Sequence, residues 1–124
     1  MIKATSERAS YQTSFTNGQD VSMADTTSGK GGSGSGFRPD ELLEAALAIS
    51  MNITLRMFAE KHSIPLTSVS TTVKLDLNYP DEAVFNYSLD LTGSLSESER
   101  QSLTEAARSC PVRQTLSKKL SFQD

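Results

Sequence analysis

The most continuous apolar pattern in the sequence covers residues Leu42 to Ile53. Its segment begins at Pro39 and ends near His62, and a helix drawn over it is apolar on almost every face. One apolar stripe contains Leu42, Ala46, Ile49 and Ile53. Leu43, Leu47 and Thr54 flank a second stripe. A helix that is apolar all round is buried on all sides. Because the run is too short and too interrupted by polar residues to span a bilayer, the pattern predicts a core helix.

Both ends of this helix carry the charges that its dipole favours. Pro39 suits a first helical position, whose backbone N–H has no partner within the helix. Acidic side chains follow it and basic ones end the segment: Asp40, Glu41 and Glu44, then Arg56, Lys61 and His62. Ser50 lies in the middle, where we expect a buried hydroxyl bonded to the carbonyl of Ala46, four residues back.

Two further regions alternate with the period of a β-strand. The first is Arg8 to Thr16, which is followed by Asn17-Gly18 and by a second alternation at Val21 and Met23. Asn-Gly between alternating runs is a strong hairpin signal, because a type I′ turn needs positive φ at both central residues. We therefore predict a hairpin here.

The second alternating region predicts a longer antiparallel hairpin. Every second position is apolar from Val69 to Leu77, with Thr71 as the exception, and again from Ala83 to Leu91, and residues 78–82 have turn chemistry. One face of such a hairpin is apolar and the other polar. The apolar face needs a cover, and the central helix is the obvious candidate.

The C-terminal third predicts a second helix. Ser96 and Glu99 match a capping box, and the helix should run from about Glu97 to Ser109. Its expected inner face carries Leu103, Ala106, Ala107 and Cys110. Pro111 should end it or begin a short third helix with Val112 and Leu116 inward, and the alternation of Leu120 and Phe122 predicts a last edge strand. The order is that of an α+β domain.

Composition narrows the class of protein. The chain has 124 residues, a net charge of −3 and one cysteine, which suits one acidic domain without a basic footprint for nucleic acid. No signal peptide is recognisable, so we expect no membrane association. A single thiol favours a reducing, cytoplasmic compartment. One His and one Cys make no conventional zinc site unless subunits share ligands, and nothing in the sequence implies a cofactor.

Residues 25–36 contain only small and polar residues apart from one lysine, which predicts a flexible Gly/Ser-rich loop. Its glycines invite comparison with a phosphate-binding loop. The segment lacks the Gly-Lys-Ser/Thr ending of a Walker motif, so a plain loop is the preferred interpretation.

Two side chains are candidates for chemistry. Cys110 precedes Pro111 at a helix start, where backbone N–H groups favour a thiolate; the alternative is a small buried hydrophobic residue. Ser50 has no nucleophile elbow around it and no nearby histidine, which argues against hydrolase chemistry.

Two motifs resemble those of the OsmC/Ohr family, the osmotically inducible and organic hydroperoxide resistance proteins. Pro39-Asp40-Glu41-Leu42-Leu43, then Ala45 to Ala48 and position 50, resembles the central-helix signature. Cys110-Pro111-Val112, after a capped helix and before a short basic stretch, resembles the second motif. The resemblance covers most of the chain.

The resemblance implies two β-hairpins packed on a long central helix, in an intertwined homodimer with active sites at the subunit interface. Active members reduce organic hydroperoxides, and an external thiol is the candidate reductant. A cysteine eleven residues after the motif proline attacks the peroxide, and the cysteine of the Cys-Pro motif resolves it as a disulfide. An arginine in the N-terminal hairpin and an acidic residue after the motif proline tune the attacking thiolate.

This chain departs from that pattern. Ser50 stands at the peroxidatic position, while Cys110 keeps the resolving one. Asp40 is shorter than the usual Glu, Gln19 stands where the arginine is expected, and Arg38 is an alternative cation for the pocket. A serine cannot form the sulfenic acid and disulfide of the cycle.

Three hypotheses follow. The first is a family member without the peroxidatic step, with a pocket at Ser50 and Cys110 for a small hydrophobic ligand or lipid peroxide. The second is an active thiol peroxidase, either through Cys110 alone or with a natural cysteine at position 50 that was exchanged for serine. The third is a non-catalytic, dimeric interaction protein.

Overall fold

The computed structural model describes all 124 residues, which form two compact units, Met1–Leu43 and Glu44–Asp124. The elements, in chain order, are β1 (Lys3–Ser6), β2 (Thr13–Thr16), β3 (Val21–Ala24), a 3₁₀ turn (Ser28–Lys30), α1 (Pro39–Lys61), β4 (Leu66–Asp76), β5 (Val84–Gly93), α2 (Glu97–Ala107) and α3 (Pro111–Leu116). The mixed α+β class predicted from the sequence is confirmed.

The first unit contains a three-stranded antiparallel sheet in the order β1-β2-β3. The predicted hairpin at Asn17-Gly18 is confirmed, but the predicted type I′ turn is wrong: residues 17–20 connect the two strands, and Gly18, at φ +102°, is the one residue among them with positive φ. The Asn17 side chain holds the turn by accepting the backbone N–H groups of Gln19 and Asp20, each at 2.9 Å. The prediction that this strand begins at Arg8 is wrong. Residues before Thr13 turn instead, with Ser10 at φ +36°.

The segment after β3 is organised by one carboxylate. The side chain of Asp25 accepts hydrogen bonds from the backbone N–H and hydroxyl of Ser33, at 3.0 and 2.7 Å, and from Thr26 N at 2.7 Å. Asp25 is only 4% exposed. These hydrogen bonds, the Ser33 hydroxyl above all, lower the pKa of the Asp25 carboxyl below its ordinary value. The predicted flexibility of residues 25–36 stays a prediction.

The second unit contains the long β4–β5 hairpin, in which Val73 pairs with Tyr87 and Leu75 with Phe85. Alternate side chains of both strands are partly buried, as the alternation predicts. Several pack against the core of this unit, among them Val69, Val73, Phe85, Tyr87, Leu89 and Leu91.

Polar side chains of α1 lie along β4. The carboxylate of Glu44 accepts the backbone N–H of Leu75 at 2.7 Å. The Arg56 guanidinium donates to the carbonyls of Leu66 and Thr67, at 2.9 and 3.1 Å. Because β4 pairs only with β5, these bonds satisfy groups on its other edge, which a lone hairpin would leave unpaired.

The buried stripe of α1 differs from the predicted one. Leu47, Met51, Leu55 and Ala59 are buried in the second unit, whereas Ile49 and Ile53 are 56% and 52% exposed. When all faces are apolar, periodicity cannot select the inward one. The expectation of burial on all sides is therefore wrong for the single chain: Ile49, Ile53 and Met57 form an uncovered face, which we call the exposed α1 face.

The length of α1 also corrects the expectation that its apolar run is too short to span a bilayer. It has 23 residues, and by length and composition alone it is apolar enough to cross a membrane. The apolar pattern continues past Ile53 through Leu55, Met57 and Phe58, so it is longer than the run from Leu42 to Ile53. The core helix of a soluble protein passes the same test, so this is weak evidence for a membrane span.

The predicted ends of the C-terminal helices are largely confirmed. Ser96 and Glu99 form the reciprocal capping box, at 3.1 and 2.9 Å, and α2 buries Leu103, Ala106 and Ala107. Pro111 begins α3. The predicted strand at Leu120 and Phe122 is absent, and these side chains are 57% and 91% exposed because no neighbouring strand offers them a partner.

Candidate functional site around Ser50 and Cys110

The first turn of α3 brings the two predicted positions together. The backbone N–H of Val112 donates to the hydroxyl oxygen of Ser50 at 3.3 Å, and the next N–H, of Arg113, donates to the sulfur of Cys110 at 3.4 Å. Consecutive amides therefore contact the two side chains, which lie on different helices. The hydroxyl accepts from Val112, and no bond joins it to the carbonyl of Ala46, so the expected local bond is wrong.

Cys110 is fully buried. It is the N-cap residue of α3 and packs with Leu47 and Met51 of α1, with Val112 and Tyr87 at the margin. Leu47 and Met51 flank Ser50 in the sequence of α1, so the cluster lies beside the serine. The burial fits the interpretation of Cys110 as a small apolar core residue, while the amide on its sulfur is the contact that a thiolate would need.

Ser50 is half-buried rather than buried. It lies between Met51, which is inside the second unit, and Ile49, which is on the exposed α1 face. Its hydroxyl therefore borders solvent as well as the core of this unit. Ser50 is less buried than predicted because the face of α1 that packs inward differs from the predicted face.

An open cavity of about 540 Å³ lies beside this cluster in the second unit. Its walls are mostly apolar, and its lining includes Leu47, Phe85, Tyr87, Arg113, Leu116 and Leu120. The volume falls within the range of small-molecule sites. The cavity shares Leu47, Phe85 and Tyr87 with the cluster that buries Cys110.

Arg113 is the cation of this cavity. Its Nη1 donates to the hydroxyl of Tyr87 at 2.8 Å, and its guanidinium carbon lies 5.7 Å from the centre of that ring. No carboxylate lies within salt-bridge distance of it, since the one ion pair in the structure joins Arg38 and Glu41. Sequence reasoning missed Arg113 because its significance depends on a contact between distant elements.

The remaining predicted site residues lie in the first unit. Arg38 and Asp40 are exposed and line an open cavity of about 890 Å³ with Ile2, Phe15 and Leu42. Arg38 is held by Glu41, at 2.8 Å. Gln19 is exposed in the β2–β3 turn and does not line this cavity. The roles assigned to Asp40, Arg38 and Gln19 therefore stay predictions.

Asp25 is a second residue that sequence reasoning missed. An aspartate followed by threonines, serines and glycines is a signal for side-chain to backbone bonding, so the pattern was available in the sequence. No group of three or more His, Cys, Asp or Glu side chains is arranged to hold a metal ion.

Comparison with known proteins identifies relatives of this fold. A family model described as OsmC-like protein matches residues 32–123. No curated protein matches the chain. An OsmC-like protein from Mycoplasma pneumoniae has a similar structure, with 20% identity, a TM-score of 0.78 and coverage of 94% of this chain and 85% of that one.

Two similar structures have names that mention hydroperoxides. One is an organic hydroperoxide resistance protein from Legionella pneumophila, with 24% identity, a TM-score of 0.68, and coverage of 94% of this chain and 88% of that one. The other, from Vibrio cholerae, is described as an organic hydroperoxide resistance protein with captopril bound in one of its active sites. It has 20% identity, a TM-score of 0.66, and coverage of 96% and 85%. At these identities the likeness shows the fold alone.

Proposed function

Because the chain belongs to the family of OsmC-like proteins, we propose that it is an oxidative-stress protein related to thiol-dependent hydroperoxide reductases. In this proposal it binds a small hydrophobic ligand, such as an organic hydroperoxide, beside Ser50 and Cys110. It does not run a two-cysteine peroxide reduction. The cytoplasmic location expected from its single thiol is part of the same proposal.

The observation that carries the proposal is the pair of amides at the start of α3. Val112 N and Arg113 N contact the Ser50 oxygen and the Cys110 sulfur, at 3.3 and 3.4 Å. Two side chains held by neighbouring amides of one helical turn lie close together. Neither of them lines the cavity of about 540 Å³, but this cavity shares Leu47, Phe85 and Tyr87 with the cluster around Cys110 and supplies apolar walls for a ligand.

The chemistry at position 50 decides what this site can do. In a two-cysteine reduction, a thiolate sulfur attacks one peroxide oxygen, the O–O bond breaks, and the alkoxide leaves and takes up a proton as the alcohol. The sulfenic acid that remains condenses with a second thiol to give a disulfide and water. The oxygen of Ser50 forms neither product, so the chain lacks the first step and keeps only Cys110 of the second.

The exposed α1 face supports a homodimer within this proposal. Ile49, Ile53 and Met57 are all more than half exposed in the single chain, and contiguous apolar surface of this kind marks an interaction site. A second copy is the partner that the family resemblance implies. It would also bring further residues to Ser50, which borders this face.

A turnover assay tests the proposal. The reduced protein is mixed with cumene hydroperoxide and dithiothreitol, and peroxide loss is compared for the natural chain, Ser50→Cys and Ser102→Cys. Ser102 is a half-buried serine of α2 outside the site, so it controls for adding a thiol. We expect turnover with Ser50→Cys only, and a disulfide to Cys110 detected by mass spectrometry.

Other outcomes separate the alternatives. Turnover by the natural chain that Cys110→Ala abolishes would establish a single-cysteine peroxidase. Equal, background rates for Ser50→Cys and Ser102→Cys would exclude a hydroperoxide pocket at Ser50. Full burial of Cys110 in the single chain argues against the first of these.

A further inference from the structure

We infer that Arg113 makes the cavity of the second unit selective for ligands with a carboxylate head and an apolar tail. The inference rests on the proposed function and names the chemical class that the site takes. Its basis is the placement of one cation without an anionic partner on the wall of an otherwise mostly apolar cavity.

The guanidinium of Arg113 is positioned but not neutralised. The hydroxyl of Tyr87 accepts one N–H, from Nη1, at 2.8 Å. The bond fixes the orientation of the planar group and leaves the edge formed by Nε and Nη2 without a protein partner. A guanidinium edge matches the two oxygens of a carboxylate, which it binds with two parallel hydrogen bonds.

The other side chains of the cavity suit a tail. Leu47, Phe85, Leu116 and Leu120 line it together with Arg113. A hydrocarbon chain gains roughly 0.8 kcal/mol for each methylene removed from water, whereas a fully polar ligand gains nothing from these walls. A neutral apolar ligand would leave the half-buried guanidinium edge to water, so the site favours a ligand that is both anionic and apolar.

Glu82 is the one acidic residue at the cavity. It lies exposed in the turn between β4 and β5, and it makes no salt bridge with Arg113. Solvent screens a charge in such a position. Glu82 therefore weakens the attraction of an anion without cancelling it, and removing its charge should strengthen binding.

Calorimetric titration of the full chain tests the inference with two probes of equal length, laurate and dodecanol. We expect laurate to bind more tightly to the natural chain. Arg113→Met should weaken laurate about 10- to 100-fold and leave dodecanol within about twofold. Arg113→Lys, which keeps the charge without the planar edge, should fall between them.

Three further variants guard against indirect effects. Arg108→Met, which removes an exposed cation outside the cavity, should change neither affinity. Tyr87→Phe removes the hydroxyl that orients the guanidinium, so it should weaken laurate less than Arg113→Met does and leave dodecanol unchanged. Glu82→Gln should tighten laurate alone. Circular dichroism confirms that each variant is folded.

The outcomes are separable from those of the proposed function. Equal affinity for laurate and dodecanol, or equal loss of both in Arg113→Met, overturns the selectivity while leaving an apolar pocket. Binding of neither probe by a folded natural chain overturns the ligand inference. The thiol chemistry is judged independently, by turnover of Ser50→Cys.

Discussion

The hydroxyl oxygen of Ser50 accepts the backbone N–H of Val112 at 3.3 Å, across 62 positions of sequence. This bond ties the middle of α1 to the first turn of α3. The same turn places Arg113 N on the Cys110 sulfur. One hydroxyl thus takes part in the packing of two helices, and its position is fixed by a main-chain donor rather than by another side chain.

Replacement of Ser50 by alanine should destabilise the second unit. It leaves the half-buried Val112 N–H without its acceptor, which costs about 1 kcal/mol. Serine to alanine within a helix also gains a few tenths of a kcal/mol in propensity. Ser102→Ala in α2 makes the same propensity gain without losing a hydrogen bond, so the difference in unfolding free energy between the two variants isolates the Ser50 bond. Equal values in urea titrations would contradict it.

The two faces of α1 should respond differently to truncation. Leu55 is fully buried, so Leu55→Ala should cost about 2–5 kcal/mol at any protein concentration. Ile53, half exposed, should matter mainly through assembly. We expect Ile53→Glu to lower the sedimentation mass from two copies to one. A monomeric natural chain would contradict the homodimer.

The capping box of α2 should contribute measurably to stability. Ser96→Ala removes the acceptor for Glu99 N and should cost about 1 kcal/mol. The control is Ser98→Ala, because Ser98 lies two residues after Ser96 and its side chain makes no hydrogen bond in the structure. Equal denaturation midpoints for the two variants would show that the cap contributes nothing.

The loop around Asp25 should open in acid. Since the folded pKa of Asp25 lies below its ordinary value of 3.8, ionisation stabilises the folded form above that value. The contribution is lost as the pH falls through the lowered folded pKa. The protection factor of the Ser33 N–H, which is the hydrogen-exchange rate of the unfolded chain divided by that of the folded chain at the same pH, should therefore fall at low pH, and Asp25→Asn should remove that pH dependence. An unchanged profile in Asp25→Asn would assign it to other carboxylates.

Local chemistry accounts for what could be predicted. The Asn17-Gly18 turn, the Ser96 cap and the start of α3 at Pro111 each depend on a few neighbouring residues, and all three are present. The alternation of β4 and β5 is equally local. The α+β class follows from these elements in order, and the two family motifs pointed to Ser50 and Cys110.

The structural features that the sequence did not predict have a common physical origin, because each depends on contacts between distant parts of the chain. β1 has no apolar alternation, since Lys3–Ser6 is exposed throughout, and only its pairing with β2 makes it a strand. The inward face of α1 is chosen by what packs against it, because its own sequence offers apolar residues in every direction. Arg113 and Tyr87 are 26 positions apart, so no short pattern joins them.

The contacts of α1 along β4 set a limit on assembly. Glu44 and Arg56 occupy main-chain groups on the outer side of that strand, which leaves β5 as the only side from which this hairpin can be extended. A further strand beside β4 would have to pair with the same main-chain groups, so the addition of strands at this edge is disfavoured and the hairpin is protected from edge-to-edge aggregation there.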